Sequence, residues 1–130
     1  MPFSITNLTK QTPPHLPYEK LFAVVLGKEY YLSLVFSGDK RSQSLNQIYR
    51  NKTYIPNVLS FSLSDTAGEI FLNQKQARRE HRGRGESYEY FVALLVIHGM
   101  LHLKGMAHGS TMEAKEKLLL RKFHIENTLA

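Results

Sequence analysis

Phe91-Val92-Ala93-Leu94-Leu95-Val96-Ile97-His98-Gly99-Met100-Leu101-His102-Leu103-Lys104-Gly105-Met106-Ala107-His108 is the most informative run in the chain. Its opening seven residues are apolar without interruption, so a helix through them has no solvent face and must be buried. The pattern predicts a helix over Ser87 to Lys104, ended by Gly105, a residue that lets the chain leave the helix and turn back. His98 and His102 are four residues apart and share one face of that helix. His108 follows Gly105 closely enough to return to the same face.

An unpaired imidazole on a buried apolar helix costs roughly 1 to 3 kcal/mol, and a shared ion removes that cost. His98, His102 and His108 fit the H-x-x-x-H-x-x-G-x-x-H frame of long-motif zinc hydrolases, in which the glycine makes the same turn. Three neutral imidazoles suit zinc better than magnesium or calcium. With no Cys in the chain and no acidic residue inside the motif, three protein ligands leave a position for water, as catalytic sites do. Gly99 stands where zinc peptidases carry their general-base Glu, which argues against peptide hydrolysis.

Working outward, Ser110 and Glu113 fit a capping box opening a last helix that runs to about Glu126. Upstream, Lys75 to Gly85 is basic and interrupted by glycine, and reads as an irregular helical segment. Val58 to Leu63 and Glu69 to Leu72 read as a hairpin turning at Asp65-Thr66-Ala67-Gly68. Before Pro56, Asp39 or Ser42 is predicted to cap a short helix packed through Leu45, Ile48 and Tyr49. Tyr30 to Phe36 is strand-like, Tyr18, Leu21, Phe22 and Val25 have helical spacing, and Phe3 and Ile5 suggest a first strand. Pro13, Pro14 and Pro17 mark the link between that strand and the helix. The order β-α-β-α-β-β-α-α predicts an α+β fold: a small mixed sheet covered by helices, with the buried helix carrying the histidines.

A chain of 130 residues is the size of one domain, so residues 1–130 are expected to form a single unit. The absence of Cys excludes disulfides and thiol nucleophiles and fits a reducing compartment. Neither a leader-like amino terminus nor an apolar stretch of membrane-spanning length is present, and a cytoplasmic protein without membrane contact is expected. Lys and Arg number 17 against 11 Asp and Glu, a net charge of +6 that favours polyanionic partners. Lys75, Arg78, Arg79, Arg82 and Arg84 could follow an RNA backbone, with Tyr88 or Tyr90 stacking a base; a solvated loop over core tyrosines is the competing account.

The string His98 to His108 resembles the hallmark H-G-x-L-H-L-x-G-x-x-H of the YbeY family of bacterial ribosomal RNA maturation proteins. Leu45-Asn46-Gln47-Ile48-Tyr49-Arg50, Asn57-Val58-Leu59-Ser60-Phe61 and Gly68-Glu69-Ile70 extend the likeness, which covers roughly Leu45 to Ser110. Ala107 replaces a common Asp, Pro56 a usual Thr, and Ser62 a Pro that commonly follows the Phe. The resemblance implies an α+β domain with one zinc ion on His98, His102 and His108. It implies an endoribonuclease specific for single strands, acting on ribosomal RNA precursor in small-subunit maturation and ribosome quality control, with the small ribosomal subunit as partner. It also implies that Arg50 lies in the catalytic cleft, where a guanidinium can hold phosphate through two parallel hydrogen bonds. Read from the residues alone, Arg50 is a cation at a helix C-terminus. A non-catalytic ribosome-assembly factor with a structural metal is the competing expectation.

Overall fold

The computed structural model describes residues 2–129. In chain order the elements are β1 (Phe3–Asn7), α1 (Tyr18–Val25), β2 (Tyr31–Ser37), α2 (Asp39–Arg50), β3 (Val58–Ser64), β4 (Ala67–Asn73), α3 (Gln74–Glu80), α4 (Tyr88–Leu103) and α5 (Ser110–Lys122). The strands form one sheet in the order β1-β2-β4-β3, with β1, β2 and β4 parallel and β3 antiparallel at the edge. This is the α+β arrangement with a mixed sheet that the element pattern predicted.

Register explains which side chains meet the core. Leu34 pairs with Ile70 and Phe36 with Leu72, so these four share one face of the sheet and all are fully buried. Helix α1 covers that face through Phe22, stacked on Phe3 at 5.1 Å, and Tyr18, edge-on to Phe36 at 5.9 Å. Helix α4 lies beside it on β3 and β4, and at Gly99 a Cβ would stand 3.1 Å from Ile70 Cδ1. Ten α4 residues are buried, from Tyr88 to Leu101, as the unbroken apolar run requires. Its half-exposed line is Tyr90, Leu94, His98 and His102, at four-residue spacing.

Helix α2 packs on the opposite face, where Tyr49 meets Phe61 at 5.5 Å and Phe61 meets Phe71 at 5.9 Å. Its buried residues are Ser42 and Asn46, while Ile48 and Tyr49 are about two-thirds exposed at 67% and 68%, so the predicted apolar face is reversed. Neither proposed cap forms by side chain at this helix, whose N-cap is Gly38. The capping box at Ser110 and Glu113 is also absent; Gly109 is the N-cap, and Glu113 lines a cleft instead. Helix α5 ends at Lys122, short of Glu126. The hairpin turn is confined to Asp65-Thr66, and Ala67 and Gly68 already belong to β4. Of the segment read as irregular, Gln74–Glu80 forms the regular helix α3, capped by Asn73, whose side chain accepts from the Gln76 N–H, while residues 81–85 with both glycines are turn.

Candidate metal centre

Helix α4 delivers two of the three ring nitrogens. His102 Nε2 lies 3.1 Å from His98 Nε2 and 3.1 Å from His108 Nε2. Gly105, at φ +101°, turns the chain out of the helix so that the exposed loop residue His108 comes back to the pair. The sequence-predicted triad is thereby brought together, as a group able to hold a metal ion.

The opposite ring nitrogens decide the chemistry of those short distances. His98 Nδ1 is 2.6 Å from Glu116 Oε2, and His102 Nδ1 is 3.0 Å from the Met106 carbonyl oxygen. A carboxylate and a carbonyl accept and cannot donate, so both Nδ1 atoms carry the hydrogen and donate it. In neutral rings the two Nε2 atoms are then bare lone pairs facing each other at 3.1 Å. Two lone pairs so placed repel unless a cation lies between them. Tetrahedral zinc with nitrogen at 2.0 to 2.1 Å would hold its ligand nitrogens about 3.3 Å apart, close to what is found. The donor set therefore fits a divalent ion of the zinc type.

Electrostatics point the same way. Burial lowers the His102 pKa, and the neighbouring His98 and His108 lower it further, against weaker raising effects of the Met106 carbonyl and Glu116. A ring kept neutral near pH 7 is a ring ready to bind metal.

The histidines form one wall of a cleft of about 940 Å³. The rest of the cleft is drawn from β3 through Val58 and Ser60, α5 through Glu113 and Glu116, and the end of α2 through Arg50. Arg50 is exposed and makes no ion pair among the described residues; its side chain donates one long hydrogen bond of 3.4 Å to Asn46 Oδ1. Asn46 also donates to the Tyr54 carbonyl at 3.1 Å, and Gln43 to that of Thr53 at 2.8 Å, which pins the loop following Arg50 and sets Tyr54, 53% exposed, at the cleft.

The basic run divides. Arg78 stacks over Tyr88 at 3.8 Å, Arg79 pairs with Asp39 at 2.7 Å, and Arg84 pairs with Glu86 at 2.7 Å while lying over Phe91. Tyr88 is buried and donates to Gln74, which removes it as a base-stacking group, whereas Tyr90 lines the cleft. Glu116 is the residue that sequence reasoning missed. Its signal is a carboxylate inside the buried stripe Met112, Glu116, Leu119, Leu120 of α5, where an acid stays only with a partner.

The solution structure of TM1509 from Thermotoga maritima aligns with a TM-score of 0.66 at 22% identity, covering 93% of this chain and 88% of that one, and so shares the fold. Endoribonuclease YbeY of Thiobacillus denitrificans is 35% identical over 94 residues, 65% of this chain and 64% of the relative. The matched segment thus spans less than two thirds of that relative. Endoribonuclease YbeY of Onion yellows phytoplasma is 32% identical over 117 residues, 83% of this chain and 80% of the relative. The family model described as Endoribonuclease YbeY matches residues 6–128, a span that holds the triad, Arg50 and every strand but the start of β1. A match of that extent means that the chain belongs to the YbeY family.

Proposed function

We propose that the chain is a zinc-dependent endoribonuclease acting on single-stranded RNA, with the ion on His98, His102 and His108 and with Arg50 as the phosphate-binding catalytic residue. The observation that carries this reading is the convergence of three imidazole nitrogens on a cleft that is also lined by a guanidinium without an ion pair among the described residues. The relatives named as endoribonucleases support the substrate class. So does the net charge of +6. Ribosomal RNA precursor as substrate, the small ribosomal subunit as partner, a role in ribosome quality control and a cytoplasmic location complete the reading.

When bound, the ion supplies Lewis-acid polarisation of a phosphodiester and activation of water. The chain supplies the rest. Nδ1 hydrogen bonds to Glu116 and Met106 orient two of the rings before the ion arrives, so little reorganisation is needed at the moment of reaction. Arg50 offers a planar fork of donors to the phosphate oxygens on which negative charge builds. The cleft is lined by Val58, Leu59 and Ser60 of β3 and by Tyr54 and Tyr90, whose rings offer stacking surfaces to unpaired bases.

The test is a cleavage assay with highly purified protein on single-stranded RNA. His102→Ala is expected to lose both zinc and cleavage. Arg50→Ala is expected to keep its zinc and fold but to cleave about 100-fold to 1000-fold more slowly, the usual loss for one donor to a charge-developing oxygen, with Arg50→Lys rescuing only partly. Undiminished cleavage by Arg50→Ala returns that residue to a helix-terminal cation. Undiminished cleavage by a zinc-free His102→Ala assigns the metal a structural role.

A further inference from the structure

We infer that Glu116 is the positioning residue of the metal centre: through its hydrogen bond to His98 Nδ1 it fixes the ring orientation and hydrogen placement that leave Nε2 free as a ligand. The inference rests on the metal-centre reading above and adds to it a role for α5, which contributes no ligand. Glu116 is 7% exposed and lies in the buried stripe of its helix, with Met112, Leu119 and Leu120 fully packed around it. A carboxylate is not held in such a place by packing alone, since burying it without a partner is strongly unfavourable. Its Oε2 is 2.6 Å from His98 Nδ1, a short hydrogen bond to an ionised acceptor, and that imidazole is its one side-chain hydrogen-bond partner among the described residues.

The consequences for the ring are specific. Donating Nδ1–H to a carboxylate leaves the neutral imidazole with its lone pair on Nε2, the atom that faces His102 at 3.1 Å. A negative partner also makes that lone pair a stronger donor to a cation. His102 receives only a backbone carbonyl in the corresponding place, and Ala107, exposed beside His108, has no side-chain acceptor to offer. The Glu116 carboxylate is thus the one side chain that orients a ring of the triad among the described residues.

The experiment measures zinc affinity by competition with a chromophoric chelator in the parent, Glu116→Gln, Glu116→Ala and His98→Ala proteins, each checked for folding by circular dichroism. Loss of an outer hydrogen-bond partner typically weakens zinc by about 10-fold to 100-fold. Glu116→Ala is expected in that range, Glu116→Gln nearer the parent because its amide oxygen still accepts, and His98→Ala beyond both. Nitrogen NMR of the zinc-loaded proteins gives a reading that a purely structural role would not move: the His98 Nδ1 proton should be observed in the parent and exchange with water much faster in Glu116→Ala. Folded Glu116 variants with parental affinity, alongside a His98→Ala protein that loses zinc, would overturn the positioning role and leave the metal site standing. Parental affinity in His98→Ala would overturn both. If Glu116→Ala does not fold, Glu116→Leu, which suits the apolar stripe of the helix and cannot accept the Nδ1 hydrogen, decides through the same affinity and the same proton.

Discussion

A side chain added at position 99 would meet the sheet before it reached the cleft. The Cβ of such a residue would stand 3.1 Å from Ile70 Cδ1 and 3.3 Å from Cγ1 and Cγ2, and Ile70 is itself fully buried between strands. Gly99 is thus where α4 comes close enough to β4 to seat the histidine face at the cleft, in addition to being the position where a peptidase would carry its acid. Gly99→Glu is therefore expected to lose stability, by about 1 to 3 kcal/mol from overpacking and more from the buried charge, without gaining peptidase activity. A thermal melt of the zinc-free variant superimposable on that of the parent would show that Ile70 yields easily and that the packing account is wrong.

At the scale of elements, Asp39 ties α2 to its surroundings across the chain. It accepts two hydrogen bonds from Arg79 of α3, at 3.0 and 2.7 Å, and one from Asn73 at the end of β4, at 2.9 Å. The Arg79 hydrogen bond, with help from Asn73 and nearby positive charge and against some desolvation, holds the Asp39 pKa at about 2. A folded-state pKa below the unfolded one means stability that is present above about pH 4 and lost as pH falls through about 2. Asp39→Asn should therefore melt below the parent at neutral pH, with the difference shrinking between about pH 4 and pH 2; a gap that is constant with pH would show that charge is not involved. The same contacts explain what the sequence could and could not reveal here. A strand or helix that buries apolar residues at regular spacing, as β2, α1 and α4 do, is legible because the period itself is the cause of the fold. Helix α2 is legible as a helix but its buried face is not, since its buried residues are Ser42, bonded to Ser37 at 2.9 Å, and Asn46, bonded to the Tyr54 carbonyl. Polar groups satisfied by distant partners leave no periodic trace, and Leu45, Ile48 and Tyr49 misdirect the reading outward. Glu116 escaped notice for a related reason. Its partner His98 is 18 residues away, and only the docking of α5 on α4 joins them, whereas the histidine triad is local in sequence and was readable at once.

Across the whole molecule, the proposed ion would join parts that are otherwise unequally held. The sheet and α4 are locked by a continuous core that includes Leu34, Phe36, Ile70, Phe91, Val96 and Met100. The chain from Ala107 to Thr111 is exposed throughout, and the backbone hydrogen bonds that fasten its neighbourhood are few: Met106 N–H to the Leu101 carbonyl before it, and Glu113 N–H to the Gly109 carbonyl as α5 begins. His108 sits in that segment, so an ion bridging it to His98 and His102 would pin the loop to α4 and, through Glu116, reinforce the docking of α5. Stabilisation by a ligand that binds only the folded state grows as its concentration exceeds Kd, reaching about 2.7 kcal/mol at 100-fold excess. Zinc is therefore expected to raise the melting temperature in a concentration-dependent manner, and a chelator to lower it. Hydrogen exchange should locate the change, because regions already protected by the core open only with global unfolding, whereas weakly held ones open locally. Under native conditions, adding zinc should slow amide exchange mainly from about Leu103 to Glu116, with β2 and β4 little changed. Uniform slowing over the whole chain would mean that the triad lies in the cooperative core. No slowing near His108, with zinc bound at the site, would mean that this histidine is not a ligand.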